Sequence, residues 1–339
     1  MALDVTVKIS ETAVAGKLGF GIPLVLISKA EKAIPYTKCA TLTEIATLYG
    51  ENGDKTDAYK IAKMIWTQKN APTEIAIYAS TSDAETAIAE VISKDWRQLI
   101  AVLGTEETTT IADIAEYIEA TTDKMYFVTV STAEELATVK GKERTVAFYY
   151  DLKKDGALVE PYAVSALVGE TAGRTAGSYT YKNLILKGLE PLEKTDNEVG
   201  EIHTGGGITL LLKAGDIVTS EGKTASGEYV DIIDSKDWII QQIGYQSQKL
   251  LNNSAKLPYS DQGISALESV TKNVLQEAFT NGIIATDSDN VTPLYTVNFK
   301  KRAEMSEADR KSRTYTGGNF SFELAGAIHN AIINGELVI

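Results

Sequence analysis

Apolar positions recur along this chain with two different periods, and each change of period marks a change of element. Leu3, Val5, Val7 and Ile9 alternate with Asp4, Thr6 and Lys8, which puts the apolar set on one face of an extended strand. The Gly- and Ala-rich stretch 13–21 reads as a flexible connection. Ile22-Pro23-Leu24-Val25-Leu26-Ile27 is an unbroken apolar run, the signature of a buried strand that Pro23 opens. Strand-like and helix-like runs then take turns. Strands are expected at 74–79, 99–103, 124–130 and 145–150. Helices are expected at 57–68 (Ile61, Met64, Ile65 and Trp66 at helical spacing), 83–92, 109–119, 132–139 and 161–168, with Pro161 suited to a first turn. Short strands alternating with single helices imply right-handed crossovers and a mainly parallel sheet. The expectation is an α/β domain over residues 21–188.

The rhythm is lost after that point. Lys213-Ala214-Gly215 supplies a turn between apolar runs at 208–212 and 216–219, a hairpin pattern. A further strand is expected at Tyr229–Ile233. A helix over 234–251 follows, with Asp234 as N-cap and Ile239, Ile240, Ile243 and Leu250 inward. A second helix over 265–279 turns Leu267, Val270, Val274, Leu275 and Phe279 to one side, and Asn281-Gly282 closes it. Strands at 294–299 and 320–328 complete an α+β domain over residues 189–333. The chain then reaches Glu336-Leu337-Val338-Ile339, again strand-like. Residues 1–20 and 334–339 thus read as terminal arms. Ends usually fray and are polar, whereas these carry strand patterns, and an unpaired strand edge seeks a partner.

The net charge of −13 argues against nucleic-acid binding over the whole surface. Charge is unevenly spread. Residues 300–313 hold Lys300, Lys301, Arg302, Arg310, Lys311 and Arg313 against Glu304, Glu307 and Asp309. That run reads either as a solvated loop or as a patch facing an acidic partner. It has no interleaved aromatics, which disfavours single-stranded nucleic acid. Cys39 stands alone, the first residues lack a signal-peptide pattern, and no apolar run approaches the ~20 residues of a membrane span. A cytoplasmic, reducing setting is expected.

Candidate chemistry is sparse. His203 lies beside Gly205-Gly206-Gly207 in an expected loop, and His329 ends an expected strand. Neither joins Cys39 in metal-ligand spacing. No Gly-x-Ser-x-Gly elbow is present. The triple glycine opens a hairpin rather than a helix, and Gly16, Gly19 and Gly21 precede a strand rather than follow one, so neither fits a phosphate loop. No catalytic, cofactor or metal residue is assigned.

A sequence of moderate motifs carries a resemblance. Ala176-Gly177-Ser178-Tyr179-Thr180-Tyr181-Lys182-Asn183 precedes the change of character. After the 234–253 helix come Lys256-Leu257-Pro258-Tyr259-Ser260-Asp261-Gln262-Gly263-Ile264, Asn281-Gly282-Ile283-Ile284, Tyr295-Thr296-Val297, Ser306-x-Ala308-Asp309-x-Lys311-x-Arg313 and Gly326-Ala327-Ile328-His329. Over roughly 170–339 this order resembles the C-terminal domain of tail sheath proteins from contractile bacteriophage tails and phage-tail-like bacteriocins. The resemblance implies a subtilisin-like α/β central domain without proteolysis, and a structural rather than enzymatic role with no cofactor. It implies hexameric rings stacked helically around an inner tail tube protein, contacts with baseplate and tail terminator proteins, and no nucleic-acid or membrane partner. It places the chain in a virion tail or tail-like particle assembled in the bacterial host cytoplasm. It also implies β-strand augmentation between subunits, for which Leu3, Val5, Val7, Ile9, Leu337, Val338 and Ile339 are the matching residues. Lys272, Lys300, Lys301, Arg302, Arg310, Lys311 and Arg313 become candidates to face the tube. Other readings are a tube or other tail structural protein, which the βαβ half opposes, and a cytoplasmic α/β enzyme, which the missing catalytic motifs oppose.

Overall fold

The computed structural model describes residues 21–104, 107–121 and 123–331. Both expected arm strands, 3–9 and 335–339, lie outside the described residues. The chain divides into two compact units, one ending at Pro258 and the other beginning at Tyr259. The change of character expected after residue 188 falls inside the first unit.

The first unit is built on a seven-stranded sheet. Its members are β1 (Ile22–Ile27), β2 (Ile34–Cys39), β3 (Ile75–Ala79), β4 (Trp96–Val102), β5 (Met125–Val130), β6 (Thr145–Tyr149) and, further along, Gly207–Ile208. The order runs β2-β3-β1-β4-β5-β6 and ends on Gly207–Ile208. Every pairing is parallel except β2 with β3. Helices fill the crossovers: α1 (Leu42–Tyr49), α2 (Asp57–Thr67), α3 (Ala84–Val91), α4 (Ile111–Glu119) and α5 (Ala133–Val139). Several start at a hydroxyl or carboxylate N-cap, as Thr56, Asp83, Thr110 and Thr132 each accept a backbone N–H bond.

Strand alternation sorts the core onto two faces. Val25 joins Ile61 and Ile65 of α2 and Leu167 of α6 (Val164–Thr171). Leu24 and Leu26 turn the other way, onto Ala87 and Ile88 of α3 and Ile114 and Ile118 of α4. These side chains are fully buried, and each Val, Leu or Ile among them is worth roughly 1.5–3 kcal/mol of transfer free energy. The closeness of α2 and α6 depends on Gly169, where an added Cβ would stand 2.4 Å from the Ile65 carbonyl oxygen.

Several expected elements are displaced. α6 begins at Val164, so Pro161 lies in the turn before it. β2 and α1 were not expected from the sequence. β2 carries Pro35 in an interrupted burial pattern, and α1 is a short helix in a region read without periodicity. His203 is not in a loop. It ends α7 (Asp196–Thr204), where Thr195 and Glu198 form a capping box. The triple glycine does not open a hairpin directly: Gly207 begins the short edge strand β9 (Gly207–Ile208). The expected hairpin is present as β10 (Leu210–Lys213) and β11 (Asp216–Thr219). A small ribbon pairs β7 (Lys153–Lys154) with β8 (Ala157–Leu158).

The largest correction concerns Tyr229–Ile233. This stretch is not a strand but the start of α8 (Val230–Asn253). Asp234 is therefore interior to the helix, not its N-cap. It is buried because it pairs with Arg97 of β4 at 2.5 Å.

The second unit holds α9 (Asp261–Thr280), capped by Ser260 and closed at Asn281-Gly282, and an antiparallel ribbon of β12 (Tyr295–Phe299) and β13 (Gly318–Phe322). The expected strand over 320–328 stops at Phe322. Beyond it only Leu324 bridges, to Ile284, so His329 ends no strand. Between the two strands lies α10 (Glu307–Ser312).

Candidate assembly site

The two-stranded ribbon of the second unit alternates cleanly. Tyr295, Val297, Phe299, Phe320 and Phe322 are half-buried, and Thr296, Asn298, Asn319 and Ser321 are exposed. Thr296 and Ser321 face each other with hydroxyls 2.7 Å apart, and the Phe320 and Phe322 rings lie 6.4 Å apart. Gly318 makes room for the Phe299 ring, since an added Cβ would meet its Cζ at 2.9 Å.

Register decides which backbone groups point outward. Glu323 donates its N–H to Leu294 O, and Lys300 donates to Gly317 O. Hydrogen-bonded and non-hydrogen-bonded pairs alternate in an antiparallel ladder. Thr296/Ser321 and Asn298/Asn319 are therefore the bonded pairs between those two. Val297 and Phe299 on β12, and Phe320 and Phe322 on β13, turn their N–H and C=O groups away from the ribbon. Among the described residues β12 and β13 pair only with each other, so both edges are open. An open edge is a template for a further strand.

The central sheet is finished differently. Its edge strand β2 contains Pro35, which has no N–H to offer, and Lys38, whose ammonium pairs with Asp95 at 2.9 Å. Proline and lysine on an edge discourage strand addition. The ribbon edges carry neither. The β2 edge of the central sheet is guarded against pairing, whereas the two edges of the β12–β13 ribbon are left able to pair.

The basic run stands beside the ribbon and is well ordered by contacts. Arg310 turns inward, its guanidinium donating to the carbonyls of Met305 and Arg302. Tyr315 stacks on Phe299 and donates its hydroxyl to Lys300 O at 2.8 Å. Asp261 accepts the Arg302 N–H at 2.8 Å. Lys311 pairs with Glu307 one helical turn away, and Lys272 on the outer face of α9 pairs likewise with Glu268. Lys300, Lys301, Arg302 and Arg313 are exposed and make no ion pair among the described residues. The structure thus separates the seven candidate cations into one that holds the segment together, two that are locally neutralised, and four that present charge to solvent.

Sequence reasoning missed a second cluster, in the first unit. Arg97 donates to Asp234 and to Asp237 of α8, the latter at 2.8 Å. Arg144 embraces the same Asp237 with two bonds of 2.8 and 3.1 Å. Tyr181, from the Ala176–Asn183 motif, donates its hydroxyl to the other Asp234 oxygen at 2.9 Å. All five side chains are buried. The two arginines hold the Asp237 carboxyl below the usual carboxylate range despite its burial. Tyr181 is pushed well above the ordinary phenol value, first by burial and then by Asp234, so it stays a neutral donor. The signal was present as two acidic residues three apart amid apolar neighbours on α8, which no solvated helix face requires. This network is balanced in charge and closed to solvent, so it is a clamp rather than a reactive site. Among the described residues no His/Cys/Asp/Glu group could hold a metal ion, and no helix is long and apolar enough to cross a membrane.

A family model described as the E217 tail sheath protein gp31-like C-terminal domain matches residues 230–336. The match begins at the first residue of α8 and runs through the ribbon. No curated protein sequence matches the chain. Among solved structures, the anti-feeding prophage helical sheath in its contracted state superposes with a TM-score of 0.71 at 14% identity, covering 98% of this chain and 98% of that one. The sheath complex of the extracellular contractile injection system PVC, also contracted, gives 0.72 at 13% identity, covering 95% and 93%. A sheath tail protein from Listeria innocua gives 0.58 at 9% identity, covering 83% and 89%. These likenesses establish the fold over nearly the whole chain, and the family match establishes a tail sheath C-terminal domain. The chain thus shares the fold of contractile sheath structures, and its residues 230–336 match a tail sheath C-terminal domain.

Proposed function

We propose that this chain is the repeating subunit of a contractile sheath, polymerised as stacked hexameric rings around an inner tube. Its contraction drives the tube through a target envelope. The observation that carries the reading is the β12–β13 ribbon, whose two edges are open among the described residues where the β2 edge of the central sheet is guarded. In this reading residues 3–9 and 335–339 of neighbouring copies add to those edges, and the residues between arm and domain act as hinges. Leu3, Val5, Val7 and Ile9 supply the period-2 pattern that fixes register against the half-buried aromatic face. Main-chain bonds of this kind survive large rotations of the parent domain, because the added strand moves with its acceptor. A sheath must shorten without falling apart, and such joints allow it.

The tube lies, in this reading, against the rim formed by Lys300, Lys301, Arg302 and Arg313, together with the polar outer face of α9. Exposed ion pairs contribute ~0–1 kcal/mol each, strong enough in number to seat the tube and weak enough to release it. The inner tube, baseplate and terminator proteins are the partners, and the particle assembles in the host cytoplasm without a cofactor. The likeness of the α/β half to subtilisin-like domains is one of architecture and brings no protease with it.

Removing residues 1–12 tests the proposal. The truncated protein is expected to stay folded and soluble, with native near-ultraviolet circular dichroism, but to form no cylinders by electron microscopy. A truncation that unfolds, or one that still polymerises, would refute the arm exchange.

A further inference from the structure

The outer edge of β12 is bounded at both ends by bonds the chain makes with itself. At one end Lys301 donates its N–H to the Glu304 carboxylate at 2.7 Å, and its carbonyl accepts the Glu304 N–H at 2.9 Å. At the other end Tyr295 donates its N–H to Pro293 O at 3.0 Å, and Pro293 has no N–H to offer. Between these stops lie the outward N–H and C=O groups of Phe299 and Val297 and the carbonyl of Tyr295. The edge therefore takes a short strand at one place. Its apolar residues Pro293, Tyr295, Val297 and Phe299 recur in steps of two, as do Leu3, Val5, Val7 and Ile9.

The two ends of the ribbon differ in charge. At the Leu294–Glu323 end Asp287, Asp289 and Glu323 are all exposed, and no lysine or arginine occurs over 273–299 or 314–339. At the Lys300–Gly317 end Lys300, Lys301, Arg302, Arg310, Lys311 and Arg313 outnumber Asp261, Glu304, Glu307 and Asp309. Residues 3–9 carry Asp4 towards one end and Lys8 towards the other, both on the polar side of the alternation. A strand antiparallel to β12 runs from the basic end of the ribbon to the acidic one. It brings Lys8 opposite Leu294, whose other neighbour is Glu323, and keeps Asp4 clear of the three carboxylates. A strand parallel to β12, or antiparallel to β13, runs the other way and sets Lys8 beside Lys300 and Asp4 beside Glu323. A strand parallel to β13 meets the same charges as the first, but parallel pairing is the weaker ladder, and Gly318 there gives Leu3 no side chain to pack on.

We propose that residues 3–9 of a second copy pair antiparallel with β12, with Leu3 opposite Phe299, Val5 opposite Val297, Val7 opposite Tyr295 and Ile9 opposite Pro293. All four apolar residues then stand over apolar partners. Leu3 and Val5 exchange main-chain bonds with Phe299 and Val297, and Val7 donates to the Tyr295 carbonyl. A slip of two residues sets Leu3 against Lys301, whose backbone is already taken, and a slip of one turns the apolar set onto the polar face. The inference rests on the arm exchange proposed above and adds to it the edge, the direction and the register.

A disulfide reads the pairing. Asp4 and Asn298 form a non-hydrogen-bonded pair in this register, with a Cα separation of ~4.5 Å that suits the bond. The Asp4→Cys/Asn298→Cys double variant, assembled and mildly oxidised, is expected to give a ladder of covalent multimers. Neither single variant gives one, as the native Cys39 is buried. A ladder from Lys8→Cys/Asn298→Cys instead would mean the reverse direction, and one from Asp4→Cys/Asn319→Cys the other edge. Either result overturns this pairing and leaves the arm exchange standing. Cylinders that give no ladder with any of the three, a disulfide closed within one chain, or a parent protein that never assembles would overturn both. Lys8→Glu is expected to raise the concentration needed for assembly about fivefold, and adding Glu323→Lys to restore most of it. A Lys8→Glu protein that assembles at the wild-type concentration would also overturn the pairing.

Discussion

Replacing Asp237 by alanine removes the one carboxylate shared by Arg97 and Arg144. Both guanidiniums are about 5% exposed and cannot be rehydrated without opening the sheet. Arg97 keeps Asp234, whereas among the described residues Arg144 is left with the Lys124 carbonyl at 3.4 Å. Breaking a buried pair in this way typically costs about 3–5 kcal/mol, most of it the penalty for stranding the remaining charge. For a unit of this size that corresponds to a fall in Tm on the order of 10 °C. Trp66, Trp96 and Trp238 all lie in the first unit, so tryptophan fluorescence during urea unfolding reads this unit alone. Asp237→Asn should lose less, because the amide oxygen still accepts a bond. The pH dependence has a definite sign. The Asp237 pKa is depressed in the folded state. Its stabilisation is therefore fully present above the ordinary aspartate pKa near ~3.9 and disappears as pH falls through the lower, folded value. Wild type and variant should differ most at neutral pH and converge in acid. A loss below ~1 kcal/mol, the range of exposed pairs such as Lys60–Asp57, would refute the clamp.

Other outcomes follow from the same geometry. Val297→Pro deletes an outward N–H of β12 without touching the internal ladder, so the monomer should fold and cylinder formation should fail, as read by sedimentation. Gly169→Ala forces a methyl against the Ile65 carbonyl and should destabilise the first unit by roughly 1–3 kcal/mol in the same urea assay. Reversing Lys300, Lys301 and Arg313 to glutamate should detach sheath from tube at lower salt with sheath assembly unchanged, measured by co-sedimentation. Reversing Lys311, already neutralised by Glu307, should do much less.

Much of the fold was legible because it is written locally. β1, β3, β5 and β6 are apolar runs long enough to name themselves, and α2, α3 and α4 show a full helical stripe. The errors arose where a distant partner overrides the local pattern. Val230-Asp231-Ile232-Ile233 reads as a strand and then a cap only while Asp234 has no known partner. Arg97, 137 residues away, makes it an interior helical position. His203 looked solvated because neighbouring glycines suggested a loop, yet Gly205 ends α7 against Leu136 and Gly206 passes close under Ala225. The open edges of the ribbon could be read only in part. Alternation at 295–299 and 318–322 is visible in the sequence, but which backbone groups face outward depends on register. The basic run was visible as charge, and its division into anchoring, neutralised and exposed cations required the contacts of Arg310, Lys311 and Lys272.

In the proposed polymer, neighbouring copies complete the β12–β13 ribbon. A cryo-EM reconstruction of the polymer formed by the purified protein measures this directly. The expected map shows a four-stranded sheet around Tyr295–Phe299 and Gly318–Phe322, with residues 3–9 and 335–339 contributed by other subunits. A polymer in which both ribbon edges remain bare, or a protein that stays monomeric at high concentration, would contradict it.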